Sequence, residues 1–233
     1  MLTVTPALVS PAPSAANTTT PGNHRSQVGS THRTAAQAYR ARFRAAIAAQ
    51  SRAHHQADAR FRAAVEPHVR ALASAEASAQ TKRERRIART VYGNAVLTAK
   101  VARAAAFEAA RVEFIDEAEQ ARLDYLLERR SGTHAIATAR FRHSLNLATA
   151  EYQAAVSAAR DTYKLGTAPA RTVQRRSVST DRLNADATAS SDAFLRATSD
   201  VTAVFRSQIG SARTTYKSKV AIARKILGTA LAV

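Results

Sequence analysis

An eleven-residue repeat of large side chains constrains this chain more than any other feature of its sequence. The last stretch shows the repeat most completely, with Leu183, Phe194, Phe205, Tyr216 and Leu227. Eleven residues over three turns is about 3.67 residues per turn, close to the α-helical period. The repeat therefore predicts long α-helices, each of which carries one continuous seam of large side chains.

Seam residues recur at intervals of eleven or twice eleven in the three earlier stretches, with Gln50 and Arg103 at the two positions that lack a large apolar side chain. They are Tyr39 and Phe61 in the first, Tyr92, Phe114 and Tyr125 in the second, and Phe141, Tyr152 and Tyr163 in the third. An aliphatic residue often follows a seam position by four, and an alanine by seven. At about 100° per residue these positions share a narrow arc, so we expect helix packing rather than the wider apolar face of lipid-coating helices.

Proline and glycine divide the chain into predicted segments. Four of the six prolines lie in the first 30 residues, which predicts an extended or disordered arm. Helices are expected to break at Pro67, Gly132 and Gly166. The predicted order is an arm over 1–30, helices over 31–66, 68–131 and 133–165, a basic linker over 166–179, and a long C-terminal helix over 180–233. The fold class is all-α, an extended bundle or hairpins of about four long helices, with eleven-residue seams like those of a coiled coil.

The composition restricts the chemistry available to the chain. Cysteine is absent, which excludes disulfides, thiolate metal ligands and a cysteine nucleophile. No glycine-rich phosphate loop or paired-histidine metal motif occurs, and the adjacent His54 and His55 would point about 100° apart on a helix. Glu113 and Glu117 share a helix face, which fits a solvated surface or an ion pair better than a cation site. We therefore expect no enzymatic activity, no cofactor and no metal.

Charge is the main indication of a partner. The chain has a formal net charge of +18 and a pI of about 11.4. A short acidic block over 108–128 separates two basic regions and could form ion pairs with them, within or between molecules. A protein this basic is expected to bind a polyanion such as nucleic acid, an anionic lipid surface or an acidic protein.

Clusters of Arg and Lys are the candidate contacts for that polyanion. They are Arg40, Arg42, Arg44 and Arg52 in the first helix, Lys82, Arg83, Arg85, Arg86 and Arg89 in the second, Arg171, Arg175 and Arg176 in the linker, and Lys217, Lys219, Arg224 and Lys225 near the end. None has the layout of a base-reading motif. Binding to nucleic acid is therefore expected to use the phosphate backbone and to be largely independent of sequence.

These observations favour a structural protein that self-associates and coats nucleic acid, as a nucleocapsid, virion or nucleoid-type protein does. A virion or another compartment that contains nucleic acid is the expected location. A helical scaffold that binds acidic proteins, and a peripheral coat on anionic membranes, are the alternatives. No stretch approaches the roughly 18 apolar residues of a membrane-spanning helix, and no secretory signal is evident. Whether residues 1–30 form a targeting leader or an ordered arm stays open, as does the choice between DNA and RNA.

Overall fold

The chain is helical throughout almost all of the part that the computed structural model describes. The backbone is described for residues 21–180 and 187–232, and side chains for 32–174 and 191–232. This part contains four helices and no strand: α1 (Pro21–Ser78), α2 (Lys82–Glu128), α3 (Thr133–Thr180) and α4 (Ala187–Leu231). The all-α prediction is confirmed.

All four helices are long rods. They contain 58, 47, 48 and 45 residues. At about 1.5 Å per residue, the shortest is roughly 68 Å long and the longest roughly 87 Å. Helices of this length expose most of their surface, so their stability depends on continuous contact with a neighbour rather than on one central core.

Each helix packs against its neighbours along the chain. Contacts join α1 to α2, α2 to α3 and α3 to α4, and the described residues show no other pairing of helices. Successive helices are antiparallel, because Tyr39 near the start of α1 meets Tyr125 near the end of α2, while Glu76 meets Arg89 at the opposite end. The molecule is therefore a row of four helices, with α1 and α4 at its edges.

Local capping fixes both ends of α2. At its start, Thr81 Oγ1 accepts a hydrogen bond from the Glu84 backbone, and the Glu84 carboxylate accepts one from the Thr81 backbone N–H. This reciprocal capping box satisfies backbone donors that the first turn leaves free. At its end, Arg130 adopts the left-handed conformation with φ 50°, and the Ser131 N–H donates to the Leu126 carbonyl. The chain thereby turns sharply into α3.

The predicted break at Pro67 is wrong, because α1 continues through it to Ser78. A proline inside a helix removes one hydrogen bond and costs about 3 kcal/mol or more. The turns beyond Pro67 pack on α2, where Leu72 and Ala75 line a cavity with Tyr92, and this packing can offset the cost. The second helix consequently begins at Lys82 rather than at residue 68.

The predicted linker over 166–179 is also helical, since α3 runs through Gly166 and Pro169 to Thr180. Thr172, beyond both breakers, receives a hydrogen bond from Asn94 of α2, so tertiary contacts continue along this segment. The last helix begins at Ala187 instead of residue 180. Residues 21–30, predicted to belong to the arm, are part of α1, and the arm residues 1–20 lie outside the described residues.

The buried core consists mainly of alanine. Eleven of the twelve buried apolar residues among the described side chains lie on α1, α2 and α3, and the twelfth lies on α4: Ala35, Ala46, Ala57, Val96, Ala110, Ala121, Ala137, Ala139, Ala148, Ala150, Ala159 and Ala223. Side chains this small allow neighbouring helix backbones to approach closely. The larger aromatic residues flank these contacts and remain half-buried, which gives long interfaces of modest thickness.

Candidate nucleic-acid interface

Aromatic residues at seam positions, and Phe43 four residues after the seam residue Tyr39, meet within each hairpin. In the α1–α2 hairpin, the ring centroids of Tyr39 and Tyr125 lie 5.5 Å apart, and those of Phe43 and Phe114 lie 6.0 Å apart. Pairs with centroids at such separations contribute about 0.5–1.5 kcal/mol beyond their buried area. These contacts fix the rotation of each helix about its own axis, which we call its rotational setting. This setting determines the direction in which the other side chains of the helix point.

The α3–α4 hairpin repeats this arrangement. Tyr152 lies 5.3 Å from Tyr216 and Tyr163 lies 5.3 Å from Phe205, measured between ring centroids. Three other residues assigned to the seam are half-buried: Tyr92, Phe141 and Phe194. Tyr92 lines the cavity between α1 and α2 near their turn.

Arg103 occupies a seam position where an aromatic residue is missing. Its guanidinium carbon lies 5.3 Å from the ring centroid of Phe61 and 5.0 Å from that of Phe107, and its Nε donates to Asp58 at 2.5 Å. A planar cation can stack on aromatic rings while its edge is neutralised by a carboxylate. Arg103 therefore serves helix packing, and it is unavailable as a free cation.

The interface between α2 and α3 is built from polar contacts, which the sequence analysis did not foresee. Asn94 donates to Thr172 at 2.7 Å and Asn146 donates to Glu119 at 2.7 Å. His143 Nε2 lies 2.8 Å from Asp116, and Arg111 donates to Gln153. Part of the acidic block is thus used to join the two hairpins. The sequence signal for this polar interface was a set of polar residues that recur at helical spacing on the side away from the aromatic seam.

Four basic side chains line one cavity between α2 and α3. Its volume is about 470 Å³, and Arg86 and Arg89 from α2 face Lys164 and Arg171 from α3. Glu76 and Asp161 neutralise Arg89 and Lys164 respectively. Among the described side chains, Arg86 and Arg171 have no acidic partner. Two guanidinium groups from different helices can therefore bind phosphate oxygens at this cavity, including in bidentate geometry.

The candidate arginines of α1 differ in availability. Arg40, Arg44 and Arg52 are exposed and have no acidic partner among the described side chains. Arg42 instead forms an ion pair with Asp124 of α2. A surface pair of this kind is worth about 0–1 kcal/mol, so a polyanion could compete for Arg42 at little cost.

The basic run at the start of α2 surrounds the capping box. Lys82, Arg83 and Arg85 are exposed there, beside Glu84. Hydrogen bonds from the backbone N–H groups of Thr81 and Gln80 lower the pKa of the Glu84 carboxyl. Glu84 therefore stays ionised, and it adds one negative charge to an otherwise basic turn.

The basic residues near the end of the chain lie on α4. Lys217, Arg224 and Lys225 are exposed without an acidic partner among the described side chains, whereas Lys219 pairs with Glu151 of α3. The side chains of Arg175 and Arg176 lie outside the described residues. The described candidate residues are thus distributed over all four helices, and the structure brings Arg86, Arg89 and Arg171 together in one cavity and Arg42 and Arg52 in another.

Several exposed cations escaped the sequence analysis because they stand alone rather than in runs. They include Arg62 on α1, Arg142, Arg160 and Lys164 on α3, and Arg206 and Arg213 on α4. A sequence signal for many of them was present. Arg62, Arg142, Lys164 and Arg206 each follow directly after a seam aromatic residue.

Glu113 and Glu117 line a cavity together with Arg42 and Arg52. Among the described side chains neither carboxylate forms an ion pair with these arginines, and Arg42 pairs with Asp124 instead, so the predicted ion pair of Glu113 and Glu117 stays a prediction. Within residues 32–174 and 191–232, no group of three or more His, Asp or Glu side chains is arranged to hold a metal ion. None of the described helices has an apolar stretch long enough to cross a membrane.

Comparison of the chain with protein-family models, with curated proteins and with solved structures found no match.

Proposed function

We propose that this chain is a non-enzymatic structural protein that coats or packages nucleic acid by binding its phosphates without reading the bases. The observation that supports this most directly is the basic cavity between α2 and α3, where Arg86 and Arg171 lack acidic partners among the described side chains. The cationic groups that line this cavity are guanidinium and ammonium groups, and such groups bind phosphate oxygens whatever the base sequence.

The charge of the whole chain supports the same function. Phosphate contacts release condensed counterions, so a protein with many exposed cations binds nucleic acid strongly at low salt. The net charge is +18, and exposed cations without acidic partners are found on each helix. A rod-like row of helices also spreads these cations over a long surface, which suits a polymer better than a compact ligand.

Self-association is part of this proposal. We assign the eleven-residue repeat to packing within each hairpin, which leaves other surfaces available for contact between copies. On α4, Val204, Ile222 and Ile226 are 49%, 57% and 55% exposed. Exposed aliphatic residues on an edge helix can pack against a second copy, so that several copies cover a nucleic acid side by side.

The test is binding of labelled duplex DNA, single-stranded RNA and anionic vesicles to the nuclease-treated protein across a salt series. We expect gel shifts with both nucleic acids at about 100 mM salt, and an affinity that falls steeply as salt rises. Failure to shift either nucleic acid at that salt would overturn the proposal. Preferential binding to vesicles would favour a membrane coat, and a defined oligomer that binds neither would favour a scaffold for acidic proteins.

A further inference from the structure

The row of helices has two sides, and contacts between neighbouring helices identify which residues share a side. Residues rotated backward from the seam lie on one side, because Arg42, three residues after Tyr39 and so about 60° behind it, pairs with Asp124, directly before Tyr125. In each hairpin the two helices are antiparallel and their seams face each other. Residues that are rotated from the seam in the same direction along the chain therefore lie on the same side of the pair, and this holds for both hairpins.

Residues directly after a seam aromatic lie on the other side. At about 100° per residue they are rotated in the opposite sense from the seam. Lys164, directly after Tyr163, shares the basic cavity with Arg89, which stands three residues before Tyr92. Gln153, directly after Tyr152, contacts Arg111, which stands three residues before Phe114. These two positions therefore mark one common side, which we call the basic face.

Cations recur on the basic face of every helix. On α1, α3 and α4 these cations directly follow aromatic residues of the seam. They are Arg40, Arg62, Arg142, Lys164, Arg206 and Lys217. On α2 the residues directly after Tyr92, Phe114 and Tyr125 are Gly93, Ile115 and Leu126, on the flank toward α3. Here the cations stand three residues before each seam position instead, as Arg89, Lys100, Arg111 and Arg122.

The opposite face has a different composition. The charged residues directly before the seam aromatics are acidic Glu113, Asp124 and Glu151 and basic Arg60 and Arg140, and the others are neutral, as at Val204 and Thr215. Ion pairs neutralise some cations on both sides: Lys219 and Arg42 here pair with Glu151 and Asp124, and Arg89 and Lys164 on the basic face pair with Glu76 and Asp161. The difference between the sides is therefore in the number of cations, not in their pairing. Most of the excess positive charge of the described residues is therefore concentrated on one side of the row.

We propose that nucleic acid binds to the basic face alone, with its phosphate backbone lying across the row of helices, while the opposite face is left for protein contacts. This inference rests on the proposed function and adds the surface that performs it. A one-sided distribution of charge is what a coat requires, because one side must meet the polymer and the other must not.

Two pairs of arginines that flank the same aromatic residues provide the test. Arg62 and Arg142 follow Phe61 and Phe141 on the basic face, whereas Arg60 and Arg140 precede the same residues on the opposite face. All four are exposed without an acidic partner among the described side chains. The double variants Arg62→Gln/Arg142→Gln and Arg60→Gln/Arg140→Gln therefore change the same charge on the same helices.

We expect the basic-face variant to bind a duplex DNA about tenfold more weakly at moderate salt, and the opposite-face variant to change affinity less than about twofold. The log–log salt slope of the basic-face variant should become shallower by about 0.9 for each lost phosphate contact. Circular dichroism and thermal midpoints check that both variants fold. Equal losses in both variants would overturn the one-sided interface while leaving nucleic-acid coating intact. Absence of binding by the unmodified protein would instead contradict the proposed function itself.

A second measurement needs no change of charge. The chain lacks cysteine, so Ser199→Cys and Ser211→Cys on α4 each introduce a single reactive thiol. At about 100° per residue, Ser199, five residues after Phe194, lies about 140° from the seam toward the basic face, and Ser211, six residues after Phe205, lies about 120° from it toward the opposite face. Saturating duplex DNA should slow maleimide labelling of Ser199→Cys and leave Ser211→Cys labelled at its free rate. Protection of both positions, or of Ser211→Cys alone, would contradict the proposal.

Discussion

Gly166 marks a close approach between α3 and α4. A Cβ atom at this position would lie 2.7 Å from Cγ1 of Val201, a distance that requires one of the two helices to move. Val is stiff about χ1, so its methyl groups cannot turn aside easily. The glycine that looked like a helix terminator in the sequence is therefore a packing residue within a continuous helix.

We expect Gly166→Ala to lower the free energy of unfolding by about 1 kcal/mol, since overpacking costs about 1–3 kcal/mol and better helix propensity returns about 1. Gly210→Ala is the matched control, because nothing lies within 4 Å of a Cβ there. That control should stabilise the protein by about 1 kcal/mol. Urea unfolding followed by circular dichroism measures both, and equal stabilisation by the two changes would disprove the close approach.

At the scale of the helix, the boundary between α1 and α2 depends on local capping. Thr81 and Glu84 follow the Thr-x-x-Glu pattern of a helix start, whereas Pro67 predicts an earlier boundary. The cap satisfies backbone donors at Thr81 and Glu84, whereas the proline removes only one hydrogen bond from a helix that tertiary packing supports. The chain turns at the capping box rather than at Pro67, because the cap stabilises a helix start whereas the proline only weakens a helix that tertiary packing supports.

This cap should make stability depend on pH. The pKa of Glu84 is lowered in the folded chain by backbone hydrogen bonds from Thr81 and Gln80, so its contribution is complete above the unfolded pKa and is lost as pH falls through the folded one. Thermal unfolding should show Glu84→Gln less stable than the unmodified protein at neutral pH, with the difference shrinking in acid. A difference that stays constant with pH would show that the carboxylate charge does not support the cap.

At the scale of the whole molecule, the two hairpins are related by a constant shift in sequence. Adding 102 to the numbers of Tyr39, Phe61, Tyr92 and Phe114 gives Phe141, Tyr163, Phe194 and Tyr216. The same shift relates buried Ala57 to Ala159 and buried Ala121 to Ala223. It also relates Arg103 to Phe205, so a cation stacked on two rings in one hairpin replaces an aromatic pair in the other. The chain thus contains two versions of one hairpin.

Concentrated positive charge should destabilise the isolated protein. Neighbouring cations on the basic face repel one another, and this repulsion is screened as the Debye length falls from about 30 Å at 0.01 M to about 8 Å at 0.15 M salt. We expect the thermal midpoint to rise over this range of sodium chloride in nuclease-treated protein. A falling midpoint would instead show that ion pairs such as Arg42–Asp124 dominate the electrostatic contribution to stability.

Periodicity and helix-forming composition are local properties, so they are enough to predict that the described chain is helical. The sequence also identified residues that meet between helices, such as Tyr152 and Tyr216, since large side chains at a helical period must be covered. The net charge and most of the exposed cations were readable in the same way.

Tertiary contacts determine where the helices end, which helices are neighbours and which cations share a surface. Pro67 and Gly166 break an isolated helix but not one whose later turns pack on a neighbour, and that packing involves residues far apart in the chain. The basic face depends likewise on the rotational setting of each helix, which the aromatic contacts between Tyr39 and Tyr125 or Tyr163 and Phe205 establish. Until that setting is known, a run such as Lys82–Arg86 looks more important than single cations such as Arg62 and Arg142.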